Sequence, residues 1–208
     1  MMVDTQVRPS DVTRFPIIEA MLHIPREAFV PESRREAAYL GENLHLAPGR
    51  VMLEPRTLAK FLEGLDIRPG ERVLDLATGL GYGAAVLERM GAEVVAVEED
   101  PVLAQAAAAA LAAEGAARAR VHQGPLLEGA PAFAPYDVIL LEGAAEVVPE
   151  AILAQLAEDG RIGALFAEEN LGIARIGRKE GGQVRWRYAF NAGAPVLPGF
   201  GRAPAFVL

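Results

Sequence analysis

The sequence predicts an α/β protein built on a mostly parallel sheet covered on both faces, and three observations carry that reading. Short, nearly uninterrupted apolar runs at 72–76, 93–98, 136–141 and 161–166 alternate with helix-length segments, the pattern of strands buried on both sides. The tail then changes rhythm: Leu171 to Arg178 and Gln183 to Phe190 are strand-like runs joined by Lys179-Glu180-Gly181-Gly182. So short a connection makes an antiparallel hairpin, which reverses one strand near the C-terminal edge. Finally, 208 residues with 51% hydrophobic and 23% charged side chains hold enough apolar material for a single core, and exclude a disordered chain.

Taken in order, the elements begin with an N-terminal helical segment, residues 1–50. Asp11 to His23 carries apolar residues at Val12, Phe15, Ile18, Met21 and Leu22, compatible with a short amphipathic helix. Ile24 to Pro31 is a proline-bounded turn of helix, Ser33 can cap a further piece through Tyr39, and Leu46-Ala47-Pro48-Gly49 ends the lobe. Such short helices need a larger body to pack on. That body is residues 51–208. Pro55 opens a helix to about Leu65, Arg68-Pro69-Gly70 stops it, and Arg72 to Leu76 is the first strand of the sheet. Tyr82 to Met90 is helical, Glu93 to Glu98 a strand, Pro101 to Glu114 an alanine-rich helix that packs closely, and Arg120 to His122 a weak strand. Tyr136 to Leu141 is a strong strand, Pro149 to Glu158 a helix and Arg161 to Phe166 a further strand.

Charge and composition bound the function. With 20 Lys+Arg against 28 Asp+Glu the formal net charge is −8, which argues against a nucleic-acid partner, since phosphate binding needs a basic face. The absence of cysteine excludes disulfides, thiolate metal sites and a cysteine nucleophile. Apolar stretches are repeatedly cut by Arg, Glu, Gly or Pro, and residues 1–16 lack the apolar core of a secretory signal, so the expectation is a soluble cytoplasmic protein with no membrane partner. His23, His45 and His122 stand singly without metal-ligand spacing and are read as surface or packing residues.

The chemistry concentrates between Val73 and Gly83. This stretch leaves a strand and opens a helix, where backbone N–H groups and the helix dipole meet an anionic ligand group. Gly79 and Gly81 allow a sharp turn and close approach of a ligand. Asp75 lies at the strand end, and Glu98 ends the next strand, 98 − 81 = 17 residues past Gly81, where a carboxylate suits two ribose hydroxyls. Gly79-x-Gly81-x-x-Ala84 also satisfies a dinucleotide fingerprint, so a nicotinamide-dependent oxidoreductase stays open beside an S-adenosylmethionine-dependent methyltransferase. An acidic strand end suits a cationic amino-acid ligand and would repel a pyrophosphate. Both ligand-binding readings require the bend between Asp75 and Gly83 to leave room for a guest.

At these residues the chain resembles the protein-L-isoaspartate O-methyltransferase family over nearly its whole length. Ala20 to Pro31 is similar to that family's "AM…VPRE.FVP" segment, Asp75 to Tyr82 to its "E-x-G-T-G-S-G-Y" loop, and Ala134-Pro135-Tyr136-Asp137 and Leu156 to Arg161 to two further segments. The resemblance implies a Rossmann-like, doubly wound, seven-stranded, mostly parallel sheet that uses S-adenosylmethionine to methylate the α-carboxylate of isoaspartyl residues in a damaged protein or peptide, or a related small carboxylate. It implies cofactor contacts at Asp75, Ala77, Thr78, Gly79, Gly81 and Tyr82 in the loop. Further contacts fall at Glu98 and Glu99 after the second strand, Gly124 and Pro125 after the third, and Glu142 after the fourth.

Three stretches depart from the family. Its "Q-T-I-S-Q-P" segment, whose hydroxyls help bind the substrate carboxylate, is Arg50-Val51-Met52-Leu53-Glu54-Pro55 here. Its first loop glycine is Ala77, which requires φ below zero, and its adenine-holding aspartate falls on Pro125. These departures keep a third reading open, a non-catalytic relative serving as a binding protein. Methyl transfer to an ionised carboxylate needs no general base, so positioning and water exclusion carry the catalysis. On the substrate side the candidates are Leu53, Arg56 and Thr57, with Arg56, together with Arg50, gripping an anionic substrate. Tyr39 and Tyr82 are the aromatics nearest the expected pocket, and the N-terminal helices are the expected cover.

Overall fold

A computed structural model describes residues 2–168 and 171–202. The chain opens with a wide helical turn at Val3–Val7 and enters α1, Phe15–His23. This helix starts four residues later than the sequence predicts because Asp11 sits in the left-handed region at φ 63°, which no helix passes through. The Glu63 carboxylate then accepts the free N–H groups of Thr13 and Arg14 at 3.3 and 3.2 Å. Short 3₁₀ turns at Arg26–Phe29 and Glu32–Tyr39 follow, the second entered from Pro31 rather than capped by Ser33. The segment expected to end the lobe instead forms a hairpin, β1 (Leu44–Ala47) with β2 (Arg50–Met52), turning at Pro48-Gly49 with Gly49 at φ 70°.

Next come α2 (Pro55–Leu65), β3 (Arg72–Leu76), α3 (Tyr82–Arg89), β4 (Glu93–Glu98), α4 (Pro101–Ala113) and β5 (Arg120–Gln123). Asp100 caps α4, accepting the N–H groups of Val102 and Leu103 at 2.8 and 3.2 Å ahead of Pro101. The chain closes with β6 (Tyr136–Ala145), α5 (Glu150–Leu153), β7 (Leu156–Glu168), β8 (Leu171–Glu180) and β9 (Gln183–Asn191). The helix expected over 149–158 is only one turn, because Leu156 already pairs with Tyr136 in the ladder and strand pairing overrides local propensity. Residues 203–208 of the expected second unit lie outside the described residues.

The seven strands run β5-β4-β3-β6-β7-β8-β9, parallel from β5 to β7 and antiparallel at β7–β8 and β8–β9. Val73, Val94 and Ala96 point into one apolar cluster with α1, α2 and α3, whereas Leu74, Leu76, Val95 and Val97 point into another. Successive residues of β3 and β4 therefore bury opposite faces, which is why those strands carry no alternating polar positions. The second face has a thin cover of the 126–130 segment, Ile152 of α5, and Leu197 and Phe200 of the tail. Because the chain leaves β3 toward β4 and β5 and returns to β6 on the other side, the topological switch point lies at the carboxyl ends of β3 and β6.

Candidate active site

Backbone hydrogen bonds shape the loop after β3. The N–H groups of Ala77 and Thr78 both donate to the Val97 carbonyl, at 3.0 and 3.1 Å, and Gly81 N–H donates to Thr78 O at 2.9 Å. Gly79 and Gly81 adopt φ of 59° and 90°, so the glycines supply the left-handed turns that aim α3 at the crevice. Ala77 corrects the sequence reading: its φ is 68°, not negative. The two bonds to Val97 hold it there against a cost of about 1–2 kcal/mol for an L residue.

Three carboxyl groups converge at the carboxyl ends of adjacent strands: Glu98 from β4, Asp75 from β3 and Glu142 from β6, each no more than 2% exposed. Strand alternation puts Glu142 on the same face as Val138 and Leu140, toward the first turn of α3. There a Cβ on Gly83 would collide with Glu142 Oε1, so the missing side chain of Gly83 makes room for a carboxyl group of the chain itself. Thr78 Oγ1 donates to Asp75 Oδ2 at 2.6 Å, while Asp75 Oδ1 and Glu142 Oε1 are buried without a partner. Burial pushes the Asp75 carboxyl up to about 6, and burial together with the Asp75 charge raises Glu142 well above the carboxylate range. One proton held on Glu142 therefore reconciles the pair at neutral pH.

Two guanidinium groups complete the cluster. Arg26, 1% exposed, donates from Nε to Ala38 O and from Nη2 to Leu53 O, both at 2.7 Å, and lies 4.9 Å from the centroid of the Tyr82 ring. Its burial lowers its own pKa and the same burial lifts the Tyr82 hydroxyl to about 12, so the phenol stays neutral. Arg50, 4% exposed, forks onto Glu98: Nη1 to Oε1 and Nη2 to Oε2, each at 2.5 Å. Gly79 N–H also donates to Oε2 at 2.9 Å and Asp100 N–H to Oε1 at 3.0 Å. A carboxylate offers about four acceptor positions, and all of those on Glu98 are taken. Leu46 of β1 closes over the same place, its Cδ1 2.6 Å from where a Cβ on Gly79 would stand.

The expectation of a bare bend between Asp75 and Gly83 is thus corrected, since Arg50, Leu46 and Glu142 fill it. Arg50 is also not at a substrate surface beside Arg56. The residue types suit a nucleoside bearing a cation, with acidic groups at three strand ends and backbone N–H groups beside them. The arrangement leaves Glu98 no free lone pair for ribose hydroxyls.

The other candidates are spread more widely. Thr57 is 1% exposed and donates to Glu54 Oε1 at 2.6 Å, and the Leu53 side chain is fully buried while its carbonyl serves Arg26. Arg56 keeps 41% of its side chain exposed, 3.6 Å from Glu54 and 3.5 Å from the Asn191 carbonyl. Glu99 accepts Leu126 N–H at 3.0 Å, which ties it to the loop of Gly124 and exposed Pro125, and Gly124 N–H donates to Glu98 O at 3.1 Å. Tyr39, 41% exposed, donates to Glu27 outside the cluster, and His122 stands edge-on to Phe133 with centroids 5.9 Å apart. Sequence reasoning missed Leu46 and the inward role of Arg26. The only signal was an arginine set among apolar residues at Ile24 to Val30.

Comparison with known proteins identifies the family and the fold. A family model described as protein-L-isoaspartate(D-aspartate) O-methyltransferase matches residues 3–191. A protein-L-isoaspartate O-methyltransferase of Methylorubrum populi is 43% identical over 162 residues, covering 77% of this chain and 76% of that one. Another, of Roseiflexus sp., is 37% identical over 169 residues, covering 81% and 78%. A solved protein-L-isoaspartate O-methyltransferase superposes with a TM-score of 0.83 at 27% identity, over 93% of this chain and 64% of that chain. A Plasmodium falciparum structure described as a complex with S-adenosyl-L-homocysteine shares the fold, with a TM-score of 0.78 at 17% identity over 91% and 94%.

Proposed function

This chain belongs to the protein-L-isoaspartate O-methyltransferase family, and from that premise we propose that it transfers a methyl group from S-adenosylmethionine to the α-carboxylate of isoaspartyl residues in proteins or peptides. The observation that carries the reading is the meeting of Asp75, Glu98 and the Gly79 N–H at the switch point of the sheet, where this fold class seats its nucleosides. When bound, the cofactor supplies a sulfonium-activated methyl group. The chain's part is positioning: Glu98, once its present partners give way, takes the ribose hydroxyls, Asp75 and the Gly79–Gly81 turn border the amino-acid end, and Glu99 braces the loop that borders the base. Because the acceptor carboxylate is already ionised, no residue needs to remove a proton. Arg56, exposed in the first turn of α2, grips that carboxylate in place of the family's hydroxyls, with Thr57 and Leu53 setting the backbone beneath it. Residues 1–50, with the β1–β2 hairpin, form the water-excluding cover over residues 51–208. A protein substrate and a cytoplasmic setting follow from the same reading, and among the described residues no helix is long and apolar enough to cross a membrane.

Radiolabel transfer to a peptide carrying isoaspartate, against the same peptide with normal aspartate, tests this directly. The expected result is label on the first alone. Arg56→Ala raises KM for the peptide about tenfold or more, the loss of one charge-assisted hydrogen bond, and leaves S-adenosylhomocysteine affinity unchanged. Label on neither peptide, with S-adenosylhomocysteine binding intact, would move the chain to another acceptor. The filled bend favours a non-catalytic relative, one that keeps or has lost cofactor binding, as the second reading; no S-adenosylhomocysteine binding at millimolar concentration would leave that reading alone.

A further inference from the structure

We propose that Arg50 is a built-in competitor for the ribose seat: its guanidinium occupies Glu98 in the free protein and must leave before a nucleoside is admitted. This rests on the methyltransferase reading of the same site and adds a control to it. A vicinal diol and a guanidinium make the same demand on a carboxylate, two parallel hydrogen bonds to two oxygens. Here the fork satisfies both oxygens at 2.5 Å, and the Gly79 and Asp100 N–H groups fill the remaining positions. A diol therefore cannot be added to this arrangement; it can only replace the arginine.

The surroundings distinguish Arg50 from an arginine that merely braces the fold. Arg161 uses all three nitrogens, with Nε on Leu65 O, Nη1 on Glu71 and Nη2 on Asp66 O and Glu71. Arg50 uses only the two terminal nitrogens that a diol would mimic, and its buried Nε has no partner. It is carried by β2, next to a turn, while Leu46 on the paired strand covers Gly79. One movement of the hairpin away from the loop would withdraw both the guanidinium and the apolar plug. Cofactor binding and placement of residues 44–54, the segment that includes the substrate-side candidate Leu53 and borders Arg56, are thereby one equilibrium. A ligand that needs the minor, open state binds more weakly by the fraction of molecules in that state.

Calorimetric titration of S-adenosylhomocysteine into the full-length wild type, Arg50→Gln and Arg50→Ala tests the proposal, with thermal melts to show that each variant folds. Neither variant can fork onto Glu98, and the expected result is binding about tenfold or more tighter than wild type in both. Wild-type binding with no gain in either folded variant overturns the competitor while leaving the methyltransferase reading intact. No binding by any of the three overturns both. If the variants do not fold, the wild type alone decides through its arginine side-chain resonances in nitrogen-15 NMR. The protected Arg50 guanidinium signals should disappear as S-adenosylhomocysteine saturates the protein, and signals that persist unchanged at saturation overturn the proposal.

Discussion

The two ends of the parallel strands handle the same kinds of charge in opposite ways. At the amino ends, Glu71 and Arg161 pair through two hydrogen bonds of 2.8 Å with about a fifth of each side chain still in water, and Arg72 N–H finds Asp137 Oδ2 at 2.8 Å. Those donors and acceptors are matched. At the carboxyl ends, Asp75, Glu98 and Glu142 face Arg26 and Arg50 out of contact with water, and Arg50 Nε and Arg26 Nη1 each lack a partner. Buried orphans are rare in a settled core and concentrate where a structure has to accept something else. The amino ends match their charges beside water, and the carboxyl ends bury theirs with donors left over.

The largest test of this contrast removes one acid from each end. Glu98→Ala leaves Arg50 buried and unpaired and should cost about 3–5 kcal/mol in denaturant titration. Glu71→Ala should cost about 1 kcal/mol, because its partner can turn to solvent. Equal losses would break the comparison.

Acidity should separate the ends next, with opposite signs. Asp75 and Glu142 hold protons in the folded state more strongly than in the unfolded chain. The Asp75 contribution is therefore fully present below about pH 4 and fades as pH rises through about 6, by about 3 kcal/mol, and that of Glu142 begins to fade above its unfolded value of 4.5 and persists to higher pH. Burial works against Glu71, but the hydrogen bonds from Arg161 and the Arg68 N–H outweigh it and hold its carboxyl below 4.5, so its contribution is lost as pH falls. Melts from pH 3 to 8 should show Glu142→Gln gaining on wild type as pH rises, while the Arg161→Ala deficit holds down to about pH 4.5 and shrinks only below it. A Glu142→Gln difference that stays constant with pH would mean that the acid pair shares no proton.

The smallest effect sharpens the description of the loop. Ala77→Gly relieves the left-handed strain at φ 68° and should raise stability by about 1 kcal/mol, with unchanged spectra. A loss instead would show that the alanine methyl group packs better than the strain costs.

Much of the scaffold was legible in the sequence because it is local. Arg72–Leu76 and Glu93–Glu98 are apolar runs bounded by turn residues, and they form strands with those bounds. Pro55 and Pro101 open their helices where proline is tolerated. The glycine loop and Glu98 were legible from spacing. The hairpin at 44–52 was not, since strands of four and three residues carry too little periodicity to separate them from a loop. Nor was the pairing of Arg50 with Glu98, which lie 48 residues apart and meet only once the sheet has formed. The sign of φ at Ala77 was likewise set by a neighbouring strand, through the Val97 carbonyl.

Both guanidinium groups of the cluster come from the first 52 residues, and all three acids come from the sheet that follows. The Rossmann-like half taken alone would be an anionic bowl with no counter-ions of its own, driven to collect protons or small cations from solution. The amino-terminal stretch is thus an electrical component of the crevice, and cleaving it away would change the voltage there before it changed the shape of the sheet.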